Sequence, residues 1–255
     1  MKKFNICGVG VSAINLDFAR REFDQWIKAG KKVYVCVAPV STIVDCQKDA
    51  EYRNIVNQAD MVTPDGMPTV WLAHLKGEAH VQRTYGPDLM LEICKDGETK
   101  NYRHFFYGGT KETCEQLSVK LKEKYPQINI AGSYAPDKVS LYYEEKKDII
   151  NQINKSQADI LWVGLGSPKQ DYWMHRHRAQ LDVPVLVGVG AAFDFVAQTK
   201  KQAPRWMQRN GLEWFFRLCT EPQRLWKRYL VGNSLFVYYL VCDMFRKKTM
   251  NESAV

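Results

Sequence analysis

The chain has 255 residues, 45% hydrophobic and 25% charged, which describes an ordinary folded protein and excludes a disordered or fibrous one. Its formal net charge is +8, and from Lys200 onward eleven Lys and Arg stand against four acids, so that quarter alone carries +7. Such segregation implies an anionic partner for the C-terminal segment: phosphates, a membrane surface or nucleic acid. The seven cysteines form no CxxC pair and no histidine lies at ligand spacing from one, which argues against structural zinc and for reduced, cytosolic thiols. The apolar start is broken by Asn5, Ser12, Asn15 and Asp17 and does not read as a signal peptide.

In chain order, FNICGVGVS reads as a strand running into a glycine turn, and NLDFARREFDQWIKAG as an amphipathic helix stopped by Gly30. KVYVCVAPV is a buried β-branched strand and YRNIVNQAD a short helix. HFFYGG, INIAGSY, DILWVGLGSP and VPVLVGVGAAF read as further strands. KETCEQLSVKLKEKYP, KKDIINQINKSQ and YWMHRHRAQL are the helices between them. This repeat of strand, glycine turn and helix predicts an α/β, Rossmann-like fold, a mostly parallel sheet with helices on both faces, over residues 1–199. Residues 200–255 read as a basic, aromatic, helical appendage in which Pro204 and Pro222 suit helix starts. The apolar run 230–245 is short for a bilayer span and is expected to lie in the headgroup region; an ordinary packing helix with a solvated basic face is the alternative.

Four turns look built for a ligand. GVGVS (8–12) is half of a dinucleotide fingerprint. YGGT (107–110) offers Gly108 and Gly109, whose backbone can approach a diphosphate. VGLGSPKQ (163–170) adds Lys169 and Gln170, and GVGAAFDF (188–195) adds Asp194. Beside them stands TPDGMPTVW, whose Asp65 is either turn chemistry, bonding its own backbone while Gly66 takes the required dihedral, or reaction chemistry. No nucleophile elbow, Walker lysine motif or HExxH is present, and His175 and His177, two apart on a helix, read as surface or acceptor-side residues.

TPDGMPTVW, RTYGPDLM, HFFYGGT, DILWVGLGSPKQDYW, GVGAAFDFVAQTKKQAPRW and GLEWFFRLCTEPQRLWKRY occur in one order, and with them the chain resembles the WecG/TagA/CpsF glycosyltransferases over roughly residues 4 to 230. The resemblance implies an inverting, metal-independent transferase with no cofactor. It would move a sugar of N-acetylmannosamine type, or a related hexose, from a UDP-sugar to a polyprenyl-diphosphate-linked saccharide at the inner face of the plasma membrane, for a cell-surface polysaccharide. Asp65 falls at the family's proposed catalytic base. The implied substrate-binding set is Gly108, Gly109, Lys169 and Gln170 for the leaving diphosphate, with Arg205, Arg217, Arg224 and Arg228 of a C-terminal segment that closes over the site and docks on an anionic membrane. Asp194, Ser133 and Tyr134 would hold the nucleoside. Arg83 would either position a phosphate or pair with Asp88.

Where the family has a Thr-x-Asn segment after the second strand, Val37 and Pro39 stand here, with Ser41 and Thr42 the nearest polar substitutes. The donor sugar is therefore open. The alternative function is a non-catalytic nucleotide-sugar or lipid-diphosphate module of an assembly complex. Nucleic acid is not expected as a partner, and a homo-oligomer is left open by the resemblance.

Overall fold

The computed structural model describes residues 1–137 and 139–252, with side chains described through Phe245. Among the described residues eight strands form two sheets. β1 (Lys3–Ile6) and β2 (Val9–Ser12) pair antiparallel as a small hairpin. β3 (Val33–Ala38), β4 (Met61–Pro64), β5 (Arg103–Gly108), β6 (Asn129–Tyr134), β7 (Ile160–Gly164) and β8 (Val185–Gly188) build a parallel sheet of order β4-β3-β8-β7-β5-β6. The central strands VYVCVA, ILWVG and VLVG are apolar and buried almost end to end, the pattern of strands covered on both faces. On one face, Ile43, Tyr52, Ile153 and Trp173 pack over the sheet; on the other, Phe23, Leu89, Leu117 and Phe193.

The hairpin corrects the reading of GVGVS. Cys7 and Gly8 both take positive φ, 49° and 82°, the conformation that closes a two-residue hairpin. The loop belongs to no βα unit and holds no phosphate position. Instead the buried Ser12 hydroxyl accepts from the Val62 amide at 3.0 Å and Lys3 Nζ donates to the Ala59 carbonyl at 2.8 Å, so the hairpin covers the exposed side of edge strand β4.

The ends of β3, β4, β5, β7 and β8 lead into the residues that line the crevice. β3 continues into the helix Val40–Lys48, whose Ile43, Val44 and Cys46 pack on the first face. β8, its neighbour, continues into Ala192–Val196, whose Ala192 and Phe193 pack on the second. Adjacent strands thus send their helices to opposite sides, which opens a crevice at the carboxyl edge, the place where ligands bind open α/β sheets.

The C-terminal segment is helical, as expected: Arg205–Arg209, Glu213–Thr220, Pro222–Trp226, a π-helical turn over Lys227–Val231, and a long helix Gly232–Glu252. The run 230–245, however, does more than lie on a surface. Leu235, Phe236, Tyr239 and Leu240 form one stripe packed into the core beside Val40–Lys48, while Val237, Tyr238, Val241 and Met244 remain exposed on the other side. No helix among the described residues is long and apolar enough to cross a membrane.

The crevice depends on close backbone approach. Gly108 has φ +112°, and a Cβ there would stand 2.8 Å from the Gly164 carbonyl carbon. Gly108→Ala is expected to cost about 1–3 kcal/mol of stability from the strained dihedral alone, read as a lower urea midpoint; a parent-like midpoint would refute this account of the corner.

Candidate active site

Where β4 ends, the chain leaves the sheet at Asp65. Gly66 is extended, φ −107° and ψ 151°, and caps the helix Met67–Leu75. The Asp-Gly pair is therefore not a tight turn, and the carboxylate is not spent on its own backbone. Asp65 Oδ1 accepts from the Gly86 amide at 3.2 Å, at the start of the helix Gly86–Lys100. Burial pushes the Asp65 pKa up to about 6; Arg83 opposes this, the Glu213 carboxylate adds to it, and the Gly86 amide and Arg217 pull it down.

Asp65 stands where two cavities meet. One, of about 350 Å³, is mostly apolar, with Val40, Met67, Trp214, Phe236 and Leu240 in its wall. The other, of about 250 Å³, lies in the crevice of the sheet, bounded by the glycine corners at Gly109, Gly166 and Gly190 and by the cations Lys200, Arg217, Arg224 and Arg228. Pro39, Asp65, Arg217 and Arg228 line both.

The glycine corners work differently from the sequence expectation. The Gly109 amide donates to the Gly164 carbonyl at 3.2 Å, the Gly190 amide to the Val163 carbonyl at 3.3 Å, and the Gly166 amide to Gln170 Oε1 at 3.1 Å. These amides are engaged within the protein; the glycines give a ligand room rather than donors. Gln170, buried, spends its other end on Ser167 Oγ at 3.2 Å and so shapes its corner. The charge facing the cavity comes from side chains. Among them Arg217 stands out, because its buried Nε has no acceptor among the described residues.

Gly109, Gln170, Asp194, Arg217, Arg224 and Arg228 line the glycine cavity; Gly108 does not, but its backbone lies against that of the lining Gly164. Asp194 is held by Lys200 at 2.8 Å, and Arg224 is bonded to Glu221 at 2.7 Å. Arg83 lines the apolar cavity, and its carboxylate partner is Glu213, not Asp88, which pairs instead with Arg205 at 3.0 Å. The exposed Arg205 thus lines neither cavity around Asp65. Lys169 is exposed and lines neither. Ser133 and Tyr134 end β6, at the opposite edge of the sheet from β4, and the Tyr134 ring stacks on Tyr107 with centroids 5.9 Å apart. Thr42 is buried in its helix; its neighbour Ser41 lines the apolar cavity and accepts from Arg228 at 2.7 Å. His177, read as a surface or acceptor-side residue, is fully buried, with Nδ1 2.8 Å from the Trp173 carbonyl and Nε2 accepting from the Glu145 amide at 3.1 Å, and lines neither cavity. Among the described residues no group of three His, Cys, Asp or Glu is placed to hold a metal ion.

Sequence reasoning passed over Glu213, Trp214, Tyr229 and Phe236, all in the cavity wall. For Glu213 a signal existed: it is the one acid between Lys200 and Thr220, inside the most basic stretch of the chain.

The chain matches the family described as Glycosyl transferase WecG/TagA/CpsF family over residues 4–250. It belongs to that family and is a glycosyltransferase. It is 30% identical over 205 residues, 80% of this chain and 77% of the relative, to a protein of Bacillus spizizenii strain W23 named N-acetylglucosaminyldiphosphoundecaprenol N-acetyl-beta-D-mannosaminyltransferase. Proteins of the same name from Bacillus subtilis strain 168 and Staphylococcus aureus strain NCTC 8325 are 33% and 29% identical. Those matches span 72% of this chain and 69% of the Bacillus protein, and 73% and 71% for the Staphylococcus protein.

A carboxyl group held above its ordinary pKa is bought with stability. With its folded value near 6, Asp65 favours folding most below about pH 4, and that contribution is lost as pH rises through 6. Asp65→Asn keeps an acceptor for the Gly86 amide without the charge. The variant is expected to melt at or above the parent temperature at pH 7.5, and to lose that advantage at pH 4. A lower melting temperature at pH 7.5 would contradict the burial argument.

Proposed function

We propose that Asp65 is the base of an inverting sugar transfer from a UDP-sugar, held in the glycine cavity, to a polyprenyl-diphosphate-linked saccharide entering through the apolar cavity. The observation that carries this reading is the carboxylate's place in the walls of both cavities. An acceptor hydroxyl arriving from one side and an anomeric carbon presented from the other would meet at its oxygens. As the hydroxyl oxygen attacks the carbon, Asp65 takes its proton, and the bond to UDP breaks on the far side of the sugar, which inverts the centre. At neutral pH a carboxyl group with a pKa of about 6 is mostly ionised, yet basic enough for the step. The charge left on the diphosphate falls to Arg217, with its unmatched Nε, and to Arg228, without a metal ion.

The relatives' names support an acceptor that is N-acetylglucosamine on diphosphoundecaprenol, and a donor of N-acetylmannosamine type or a related hexose. Val37 and Pro39 sit in the glycine cavity's wall, so the positions that lack the Thr and Asn would face a donor held there. A screen of UDP-sugars against a short-chain prenyl-diphosphate N-acetylglucosamine acceptor, with the product identified by mass, assigns the sugar. On the best donor, Asp65→Asn is expected to lose about 10²–10⁴-fold in kcat while still binding UDP. For the parent, kcat/KM should fall as pH drops below about 6, and excess chelator should leave turnover unchanged. Near-parental transfer by Asp65→Asn would sink the mechanism.

The protein would meet the acceptor as a peripheral protein on the inner membrane face. Trp206, Trp226, Val237 and Tyr238 are exposed on the C-terminal segment, and Trp71 and Leu75 on the helix that follows Asp65. Val237 also lines the apolar cavity, so the exposed apolar surface runs to its wall. Aromatic residues beside lysines and arginines suit a headgroup layer of anionic lipid. Replacing Trp206 and Trp226 with Ser is expected to weaken co-sedimentation with anionic liposomes, more so at high salt, with UDP affinity retained; undiminished binding would remove this surface from the proposal.

A further inference from the structure

Arg83 touches two parts of the molecule at once. Its Nε donates to the backbone carbonyl of Asp65 at 2.6 Å, its Nη1 to Gln208 at 3.3 Å and its Nη2 to the Glu213 carboxylate. The guanidinium lies 3.9 Å over the Tyr85 ring, and Tyr85 Oη donates to the other Glu213 oxygen at 2.8 Å. The next residue, Gly86, supplies the amide that holds the Asp65 side chain. Residues 83–86 therefore grip Asp65 at both its backbone and its carboxylate, and with their other contacts grip the C-terminal segment. Gln208 is itself buried and anchored on the Ala203 carbonyl at 2.7 Å.

The Arg83 and Glu213 side chains are only 15% and 14% exposed. A pair so enclosed gains little net stability, because desolvation offsets the attraction, but it fixes geometry when both charges are present. Arg83 lines the apolar cavity and not the glycine cavity, so the pair stands on the acceptor side of the base and away from the leaving diphosphate.

We propose that Glu213 is a positioning residue for transfer: held by Arg83 and Tyr85, it orients Arg83 and through it the Asp65 loop. The proposal rests on the reading of Asp65 as the base. It makes residues of the segment part of the base's support as well as part of the cavity wall.

The test uses the full-length protein carrying Glu213→Gln or Tyr85→Phe. Charged and titratable groups around Asp65 are Arg83, Tyr85, Glu213, Arg217 and Tyr229. The Asp65 carboxyl is followed by carbon-13 NMR, assigned by its disappearance in Asp65→Asn, alongside kcat, KM and calorimetric UDP affinity. In Glu213→Gln, which keeps the shape but removes a negative charge, the Asp65 titration should move to lower pH. Its kcat should fall roughly tenfold to a hundredfold, with UDP affinity unchanged. Tyr85→Phe retains the charge and should leave the titration in place. An unmoved titration with parental kcat in Glu213→Gln overturns the proposal, and so does a loss of UDP affinity that accounts for the loss of rate. If Glu213→Gln does not fold, Glu213→Asp keeps the charge and shortens the reach: lowered kcat with a parent-like titration supports positioning, and parental kcat refutes it. The NMR titration needs no turnover, and transfer surviving in Asp65→Asn would separately overturn the base reading.

Discussion

The site depends on the divergence of the chain at the carboxyl ends of β3 and β8. The helix after β3 packs on one face of the sheet and the helix after β8 on the other, and a cavity lies between the two strand ends. That gap becomes the glycine cavity, and two glycines beside it let neighbouring side chains pack close. At Gly188 a Cβ would meet Gln170 at 2.9 Å, and at Gly164 it would meet the Phe193 ring at 2.5 Å. β4 lies just beyond β3, so its last residue hands Asp65 to the rim of the same gap. The sheet order thus sets both the ligand space and the acid beside it, before any particular ligand is considered.

Much of this was legible because it is local. Strands made of β-branched and aromatic residues, ended by glycine and followed by amphipathic helices, carry the α/β pattern in short windows. The misreadings arose where a local pattern has two uses. GVGVS has the same composition in a hairpin as in a phosphate loop, and only its pairing partner, five residues upstream, separates them. Gly109 and Gly166 are in the crevice, but their amides are taken, one by the Gly164 carbonyl of another strand and one by the Gln170 side chain of its own corner. Ser133, Tyr134 and Lys169 show a second limit. The first two end a strand and Lys169 follows the right kind of turn, yet the position of β6 at the far edge and the exposure of Lys169 are tertiary facts. Glu213 was hidden for the same reason: its partners Arg83 and Tyr85 lie about 130 residues away.

The C-terminal segment shows how one apolar run serves two environments. Read as a linear stretch, residues 230–245 are too short to span a bilayer and too apolar for an ordinary surface. Wound as a helix, the stretch divides into a stripe that completes the core at Phe236 and another that stays exposed at Val237, Tyr238, Val241 and Met244. The segment is therefore continuous with the α/β body rather than hung from it, and the apolar cavity lies between the two. A wall borrowed from a basic segment also explains the charge asymmetry. Arg217 and Arg228 face the crevice, where the phosphates of a nucleotide-sugar would lie, while the exposed cations remain for the surroundings.

The electrostatic balance at Asp65 follows from this arrangement. A carboxylate at the base of two cavities loses water, which raises its pKa; three neighbours, Arg83, Arg217 and the Gly86 amide, work to lower it again. Had the cations acted alone, the group would be a fixed anion, a good partner for an arginine and a poor acceptor of protons. Glu213 engages Arg83 and adds a negative charge of its own, leaving Asp65 less neutralised and more basic. The acid within the basic stretch is thus not an exception to its charge pattern. It limits how far that pattern reaches Asp65, and it does so from the same segment that brings Arg217 and Arg228 to the crevice.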